Sequence, residues 1–330
     1  MAITIEQIKA LRAKSGAGLS DVKKALEEAN GDETRAMELI RERGKAIAAK
    51  RSERTAAEGC VLAGVNGNYA AIVALKCETD FVAKNEGHIK LTQDILNVAL
   101  QNKPADLDAL KAMKLDGEEI SAKVTERSGV TGEKLELDFF TFVEGSDVVA
   151  YIHPGNKLAT IVAFNQANVA NDVKKEVAMQ VAAMNPLSLD EASLPADVVE
   201  AEKRNAVEKA KQNQIDKAVE QALKKAGINP AHVDSEEHIE SNIGKGWITA
   251  EDGAKAREIK KTVAAEKAAN LPEQMIQNIA AGMVNKFFKE NCLLNQEYNR
   301  DPKLNMTQYM DSQSKGLTVT AFKRFTLNAE

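Results

Sequence analysis

Two stretches of this chain follow the same order of parts, and that repetition limits the fold more than any other feature. The first runs from Glu58-Gly59 through a turn at Asn66-Gly67-Asn68 to the apolar run Ala71-Ile72-Val73-Ala74. The second runs from Glu144-Gly145 through a turn at His153-Pro154-Gly155-Asn156 to Thr160-Ile161-Val162-Ala163. Asn-Gly and Pro-Gly pairs between β-rich runs are hairpin signals, because these residues accept the dihedrals a tight reversal needs. Each copy then leads into apolar residues at helical spacing, Ile89 to Leu100 in the first and Val173 to Ala183 in the second. A hairpin followed by a helix, twice over, predicts duplicated α+β core subdomains with small antiparallel sheets.

The copies part company after the apolar run. The first continues Cys77-Glu78-Thr79-Asp80-Phe81-Val82-Ala83-Lys84-Asn85, where a strand hands over to a helix. The second continues Phe164-Asn165-Gln166-Ala167-Asn168-Val169, with no Thr-Asp-Phe. Thr79 or Asp80 can cap the helix, since a side-chain oxygen accepts from the free amides of the first turn. Three readings compete. Asp80 is a plain cap favoured by the helix dipole, Phe81 is a staple folded onto its own helix, or Phe81 is an exposed ring beside a carboxylate, aimed at a partner. Residue chemistry alone favours the structural readings. A unit built without this stretch elsewhere in the same chain weighs toward the third.

The rest of the chain divides around these copies. Residues 1–55 read as a three-helix unit with a linker. Thr4 and Gln7 form a capping box, Ile5, Ile8 and Leu11 give the buried stripe, and Asn30-Gly31 and Asp32 separate the second helix from the third. Lys45 to Arg54, basic and Ala-rich, reads as a solvated helical linker. Residues 56–140 hold the first copy, with a helix from Ile120 stopped at Ser128-Gly129 and a strand from Leu135 to Val143. Residues 141–184 and 271–330 hold the second, completed by a strand from Gly316 to Phe325. Residues 185–270 read as an inserted antiparallel helical hairpin, coiled-coil-like along Ile215, Ala218, Val219, Ala222, Leu223 and Ala226. Its tip, from His238 to Ile248, reads as irregular, with Trp247 anchoring a small cluster. Met275 to Phe288 reads as an apolar helix that rejoins the core.

Composition excludes several functions. With 44 Lys and Arg against 49 Asp and Glu, the net charge of -5 offers no global field for nucleic acid. Cys60, Cys77 and Cys292 form no C-x-x-C and read as reduced core thiols. Four dispersed histidines give no metal-ligand spacing. No P-loop, Rossmann fingerprint or nucleophile elbow occurs. The start shows no signal-peptide pattern, and no apolar run approaches membrane-spanning length.

Three segments carry a family resemblance: Thr79 to Asn85, Ser15-Gly16-Ala17-Gly18-Leu19-Ser20-Asp21-Val22-Lys23-Lys24-Ala25-Leu26, and Tyr151-Ile152-His153. In them the sequence resembles bacterial elongation factor Ts, the guanine nucleotide exchange factors of elongation factor Tu. The resemblance implies a ubiquitin-associated (UBA)-like fold for the first unit and a cytoplasmic translation factor that is no enzyme, needs no cofactor and binds no nucleotide itself. It implies that Phe81, with Thr79, Asp80 and Val82, wedges into the GTPase domain and disturbs the Mg²⁺ environment that holds GDP. It also implies secondary contacts from Arg12, Leu19 and Lys23, from a loop at Ser128-Gly129, and from His153. The family's usual Gly/Ala-Arg-Ile-Gly turn is replaced here by His153-Pro154-Gly155-Asn156-Lys157. Two other classes stay open: a scaffold or homodimer built on the hairpin, and an RNA-binding module using Arg41 to Arg54.

Overall fold

The computed structural model describes residues 3–328. It contains two compact units, Met1–Leu189 with Glu297–Glu330, and Asp190–Gln296. The first opens with α1 (Ile5–Ser15), α2 (Leu19–Glu28) and α3 (Glu33–Lys50). Thr4 and Gln7 close the capping box, and Gly16 ends α1 in the left-handed region at φ 67°. Leu11, Val22, Ala25, Leu26 and Ala36 form the small core. Ile5, expected inside, is 66% exposed; Ile3 packs against the cluster in its stead, beside the expected Ile8. The expected linker is helix as far as Lys50, because Ala-rich sequence with no breaker simply extends α3.

The first sheet follows. β1 (Glu58–Asn66) and β2 (Tyr69–Cys77) pair antiparallel from Glu58↔Cys77 to Asn66↔Tyr69. After them come α4 (Asp80–Ala83), α5 (Glu86–Asn102), α6 (Leu107–Ala112), a minimal hairpin of β3 (Lys114–Leu115) and β4 (Glu118–Glu119), and α7 (Ile120–Thr131). β5 (Glu136–Glu144) then pairs with β2, giving the order β1-β2-β5. The second sheet is built alike. β6 (Asp147–Ile152) and β7 (Leu158–Phe164) form the hairpin, and α8 (Asn171–Met184) follows. In each sheet the second strand of the hairpin is central and a later strand pairs antiparallel on its far side.

β2 is buried on both faces, which explains its unbroken apolar run. Tyr69, Ala71, Val73 and Leu75 meet α5 and α7 side chains such as Ile95, Leu96 and Val124. The alternate residues Ala70, Ile72 and Ala74 meet Val148, Ala159, Ile161 and Ala163 of the second sheet.

The second unit comprises α9 (Ala196–Lys225), α10 (Glu236–Gly244), α11 (Ala250–Ala269) and α12 (Glu273–Asn291). The thirty-residue α9 packs against both α11 and α12. Its first half buries Ala206 and Ala210 against Ile276, Ala280, Val284 and Phe288. So α12, expected to rejoin the core, finds its apolar partners on α9. The tip is also more regular than expected, because Ser235 caps α10 through the His238 amide. Ile228, Val233 and Ile239 form its cluster, with Ile248 packed against them. Trp247 stays 62% exposed, its ring 5.7 Å from that of His232. The first unit then closes with β8 (Glu297–Tyr298), β9 (Asp301–Asn305), α13 (Met306–Gln313) and β10 (Val319–Thr326), the last paired with β7. No helix among the described residues is long and apolar enough to cross a membrane.

One expectation fails for a reason visible in the packing. Ser128 and Gly129 neither stop α7 nor form a loop; the helix runs to Thr131 and Gly132 caps it at φ 68°. Gly129 lies inside the helix because α3 passes it at Gly44. A Cβ at 129 would sit 2.1 Å from the Gly44 Cα, whereas one at 44 would sit 3.4 Å from the Gly129 Cα. Gly129→Ala should therefore force the helices apart and cost about 1–3 kcal/mol of stability. Gly44→Ala should cost clearly less in the same denaturant titration. Equal losses at the two sites would contradict this packing.

Candidate functional site

The site is built where β2 ends. Thr79 is extended, at φ −124° and ψ 155°, and caps the single turn of α4 through the Val82 amide. Asp80 is therefore not the cap; it occupies the first helical position, and its carboxylate takes a 2.7 Å bond from Lys84. That bond with Lys84, before any other influence, holds the Asp80 carboxyl below the usual range. Asn85 then caps α5 through the Gly87 amide at 2.9 Å. Two helix starts thus lie within seven residues. Ala83 is buried and Val82 half-buried against the first core, while Phe81 is 83% exposed. The staple reading of Phe81 fails, because a staple would bury the ring on its own helix.

Residues far away in sequence hold this turn. The Glu133 carboxylate accepts from the amides of Glu78 (3.1 Å) and Thr79 (3.0 Å) and from the Thr79 hydroxyl (2.6 Å). The side chain of Glu78 has its own partners. It accepts from Arg51 at 3.2 Å, Arg54 at 3.0 Å and the Lys134 amide at 2.6 Å. Burial pushes the Glu78 carboxyl up, and the Lys134 amide, Arg54 and Arg51 more than offset it, so the net shift is downward. Arg127 donates to the side chain of Asn85 at 2.6 Å, securing the start of α5.

The secondary candidates are dispersed. Arg12 and Lys23 are exposed on α1 and α2, Lys23 loosely paired with Glu27 at 3.9 Å. Leu19 is 59% exposed at the start of α2. Ser128 is buried, and its hydroxyl donates to the Glu133 carbonyl, so it supports the turn from behind. His153 is exposed in the β6–β7 turn beside the Tyr151 hydroxyl at 3.0 Å. That turn lies against the first sheet, where Asn156 O accepts from Val61 N at 2.7 Å and Lys157 meets Glu58 at 2.9 Å. The basic run is largely neutralised. Arg41 pairs with Glu118 and Glu126, Arg43 with Glu28, and Arg51 and Arg54 with Glu78. Among the described residues no three His, Cys, Asp or Glu side chains are grouped to hold a metal ion. Burial pushes the thiols of Cys60 and Cys77 up to about 11 and 12, so neither is a ready nucleophile.

Sequence comparison decides the family. A family profile described as "Elongation factor TS" matches residues 78–329. Proteins named "Elongation factor Ts" from Parabacteroides distasonis and Bacteroides thetaiotaomicron are each 57% identical over 331 residues, covering all of both chains. The one from Porphyromonas gingivalis is 44% identical over 333 residues, again end to end. The chain belongs to the elongation factor Ts family. These elongation factor Ts relatives match along their whole length, the stretch read as an insertion included. Glu133, Glu78 and Arg127, which hold the turn, were not singled out by sequence reasoning. Gly132, which ends α7 in the left-handed region, is the residue whose type could have marked Glu133 as lying just past a helix end.

His88 supplies a pH test of the platform. It is fully buried, and its Nε2–H donates to Leu75 O at 3.0 Å. Nδ1 makes no hydrogen bond among the described residues. Burial, reinforced by Arg127, lowers its pKa against the opposing pull of the Leu75 bond and Glu133. The folded state thus resists a proton that the unfolded chain takes up near about pH 6.5. Stability should be fully expressed above that pH and fall as the pH drops toward the lower folded value. His88→Gln keeps a neutral donor and should flatten the dependence of the denaturant midpoint between about pH 7 and 5. An unchanged slope in that variant would assign the pH dependence elsewhere.

Proposed function

We propose that the chain is the nucleotide exchange factor of elongation factor Tu, and that Phe81 is the group that enters the GTPase. The observation that carries this reading is a large aromatic ring left 83% exposed on a turn whose neighbours are anchored. Such a ring gains by burial in a partner, about 1.5–3 kcal/mol for one Phe side chain. Exchange follows from linkage. A factor that binds nucleotide-free elongation factor Tu more tightly than the GDP-bound form weakens GDP binding by the same factor. Only the part of the ring's burial realised in the empty state shifts that equilibrium. Asp80, paired with Lys84 beside the ring, brings a carboxylate to the same surface, suited to disturb a neighbouring Mg²⁺ environment. Leu19, Arg12 and Lys23 offer a second contact from the three-helix unit, and His153 a third.

The test is release of a fluorescent GDP from purified elongation factor Tu. Phe81→Ala should slow the stimulated release by about tenfold to a hundredfold, the equivalent of losing one buried Phe. Its helical circular dichroism and melting temperature should match the parent's, because the ring makes little contact within its own chain. Unchanged release in a folded variant would overturn the assignment.

A further inference from the structure

We infer that Glu133 is the positioning residue of the Phe81 turn: its carboxylate fixes the direction in which the ring is presented, without touching the partner. The inference rests on the reading of Phe81 as the group that enters elongation factor Tu. α4 has four residues, and a single helical turn does not hold itself in water, since nucleation costs more than one hydrogen bond returns. The strand ladder does not reach the turn either. β1 pairs with β2 only as far as Cys77, and β5 only as far as Lys76. The amides of Glu78 and Thr79 lie beyond both edges, and both donate to Glu133 Oε2. The other carboxylate oxygen takes the hydroxyl of Thr79, the cap of α4, at 2.6 Å.

Glu133 is itself fixed from both sides of its backbone. Its carbonyl accepts from the Ser128 hydroxyl, and its amide donates to Thr131 Oγ1 at 3.3 Å. The carboxylate is thus the link from the rigid end of α7 to the cap that starts α4. Charge-assisted bonds of this kind are shorter and stronger than neutral ones. Releasing them would leave Phe81 exposed and chemically unchanged but free to swing. An exchange factor with a swinging ring would still dock through its other surfaces and fail at the step that expels GDP.

The experiment measures stimulated GDP release against factor concentration for Phe81→Ala, Glu133→Ala, Glu133→Gln and Thr79→Val. Glu133→Ala should lower the maximal rate about tenfold, the scale of one charge-assisted hydrogen bond, while the half-saturating concentration barely moves. Glu133→Gln should recover most of the rate, because its carbonyl can take both amides while the Thr79 hydroxyl turns to accept. Thr79→Val should reduce the rate in its own right, and adding it to Glu133→Ala should cause little further loss. Should Glu133→Ala fail to fold, the Gln and Val variants decide alone. A normal maximal rate in Glu133→Ala beside a slow Phe81→Ala overturns the positioning role and leaves the wedge standing. So does a loss confined to the half-saturating concentration, which is the mark of a merely structural residue. A normal rate in Phe81→Ala would remove the wedge itself, and this inference with it.

Discussion

A ring can stand in water on a short helix only if that helix is held by something other than the ring. Everything around Phe81 answers to this constraint. The turn that carries it is too short to be stable alone. Two of its own residues, Val82 and Ala83, reach inward and supply a shallow apolar anchor. The remaining hold is polar and comes from a different part of the chain, through the Glu133 carboxylate on the amides and hydroxyl at the junction. Below that, Glu78 ties the same junction to Arg51 and Arg54 just past α3. The Arg51 pair is partly buried and the Arg54 pair exposed, and the same carboxylate also takes the Lys134 amide. Networks of this kind specify geometry more than they add stability.

The platform under the turn is rigid for reasons of close approach. α3 and α7 meet at Gly44 and Gly129, where backbone touches backbone. No side chain there can act as a spacer, so the two helices hold one separation. That contact joins the three-helix unit to the elements that carry Glu133 and Arg127. On the other side, β2 is packed between α5 and the second sheet and contributes a fully buried stretch ahead of Cys77. A strand buried on both faces has no freedom to shift register without moving apolar side chains into the wrong layer. The junction at Glu78 and Thr79 is therefore the first place past the buried run of β2 where a polar turn can leave the core.

Charges elsewhere follow a quieter pattern. Four of the basic residues from Arg41 to Arg54, namely Arg41, Arg43, Arg51 and Arg54, meet carboxylates of their own chain, which leaves less of that run to attract phosphates. Among the other ion pairs of the described residues, seven are spaced four residues apart and largely exposed, and such a pair adds only about 0.3–0.5 kcal/mol. On α9 the exposed pairs Glu208–Lys211 and Glu220–Lys224 are of this local kind and carry little of the fold.

Local signals were legible where the physics is local. Capping boxes, helix stripes, hairpin turns and the repeated hairpin-helix order all depend on residues within a few positions of each other, and the chain states them directly. The Thr79-Asp80-Phe81 stretch was legible as a helix start for the same reason, and its absence from the second copy marked it as unusual. What the sequence could not state was which way Phe81 faces, since a capping aromatic can fold back or stand out with the same neighbours in sequence. Nor could it tell that Gly129 belongs inside a helix, because the reason is a backbone 85 positions away. The hold on the turn by Glu133, Glu78 and Arg127 was equally hidden, since an acidic or basic residue in a loop looks solvated until the loop is placed. Thus the sequence alone determined the elements and the one stretch that breaks their symmetry. Tertiary structure decided the exposure of the ring and the geometry of its support, because both depend on contacts between segments that only folding brings together.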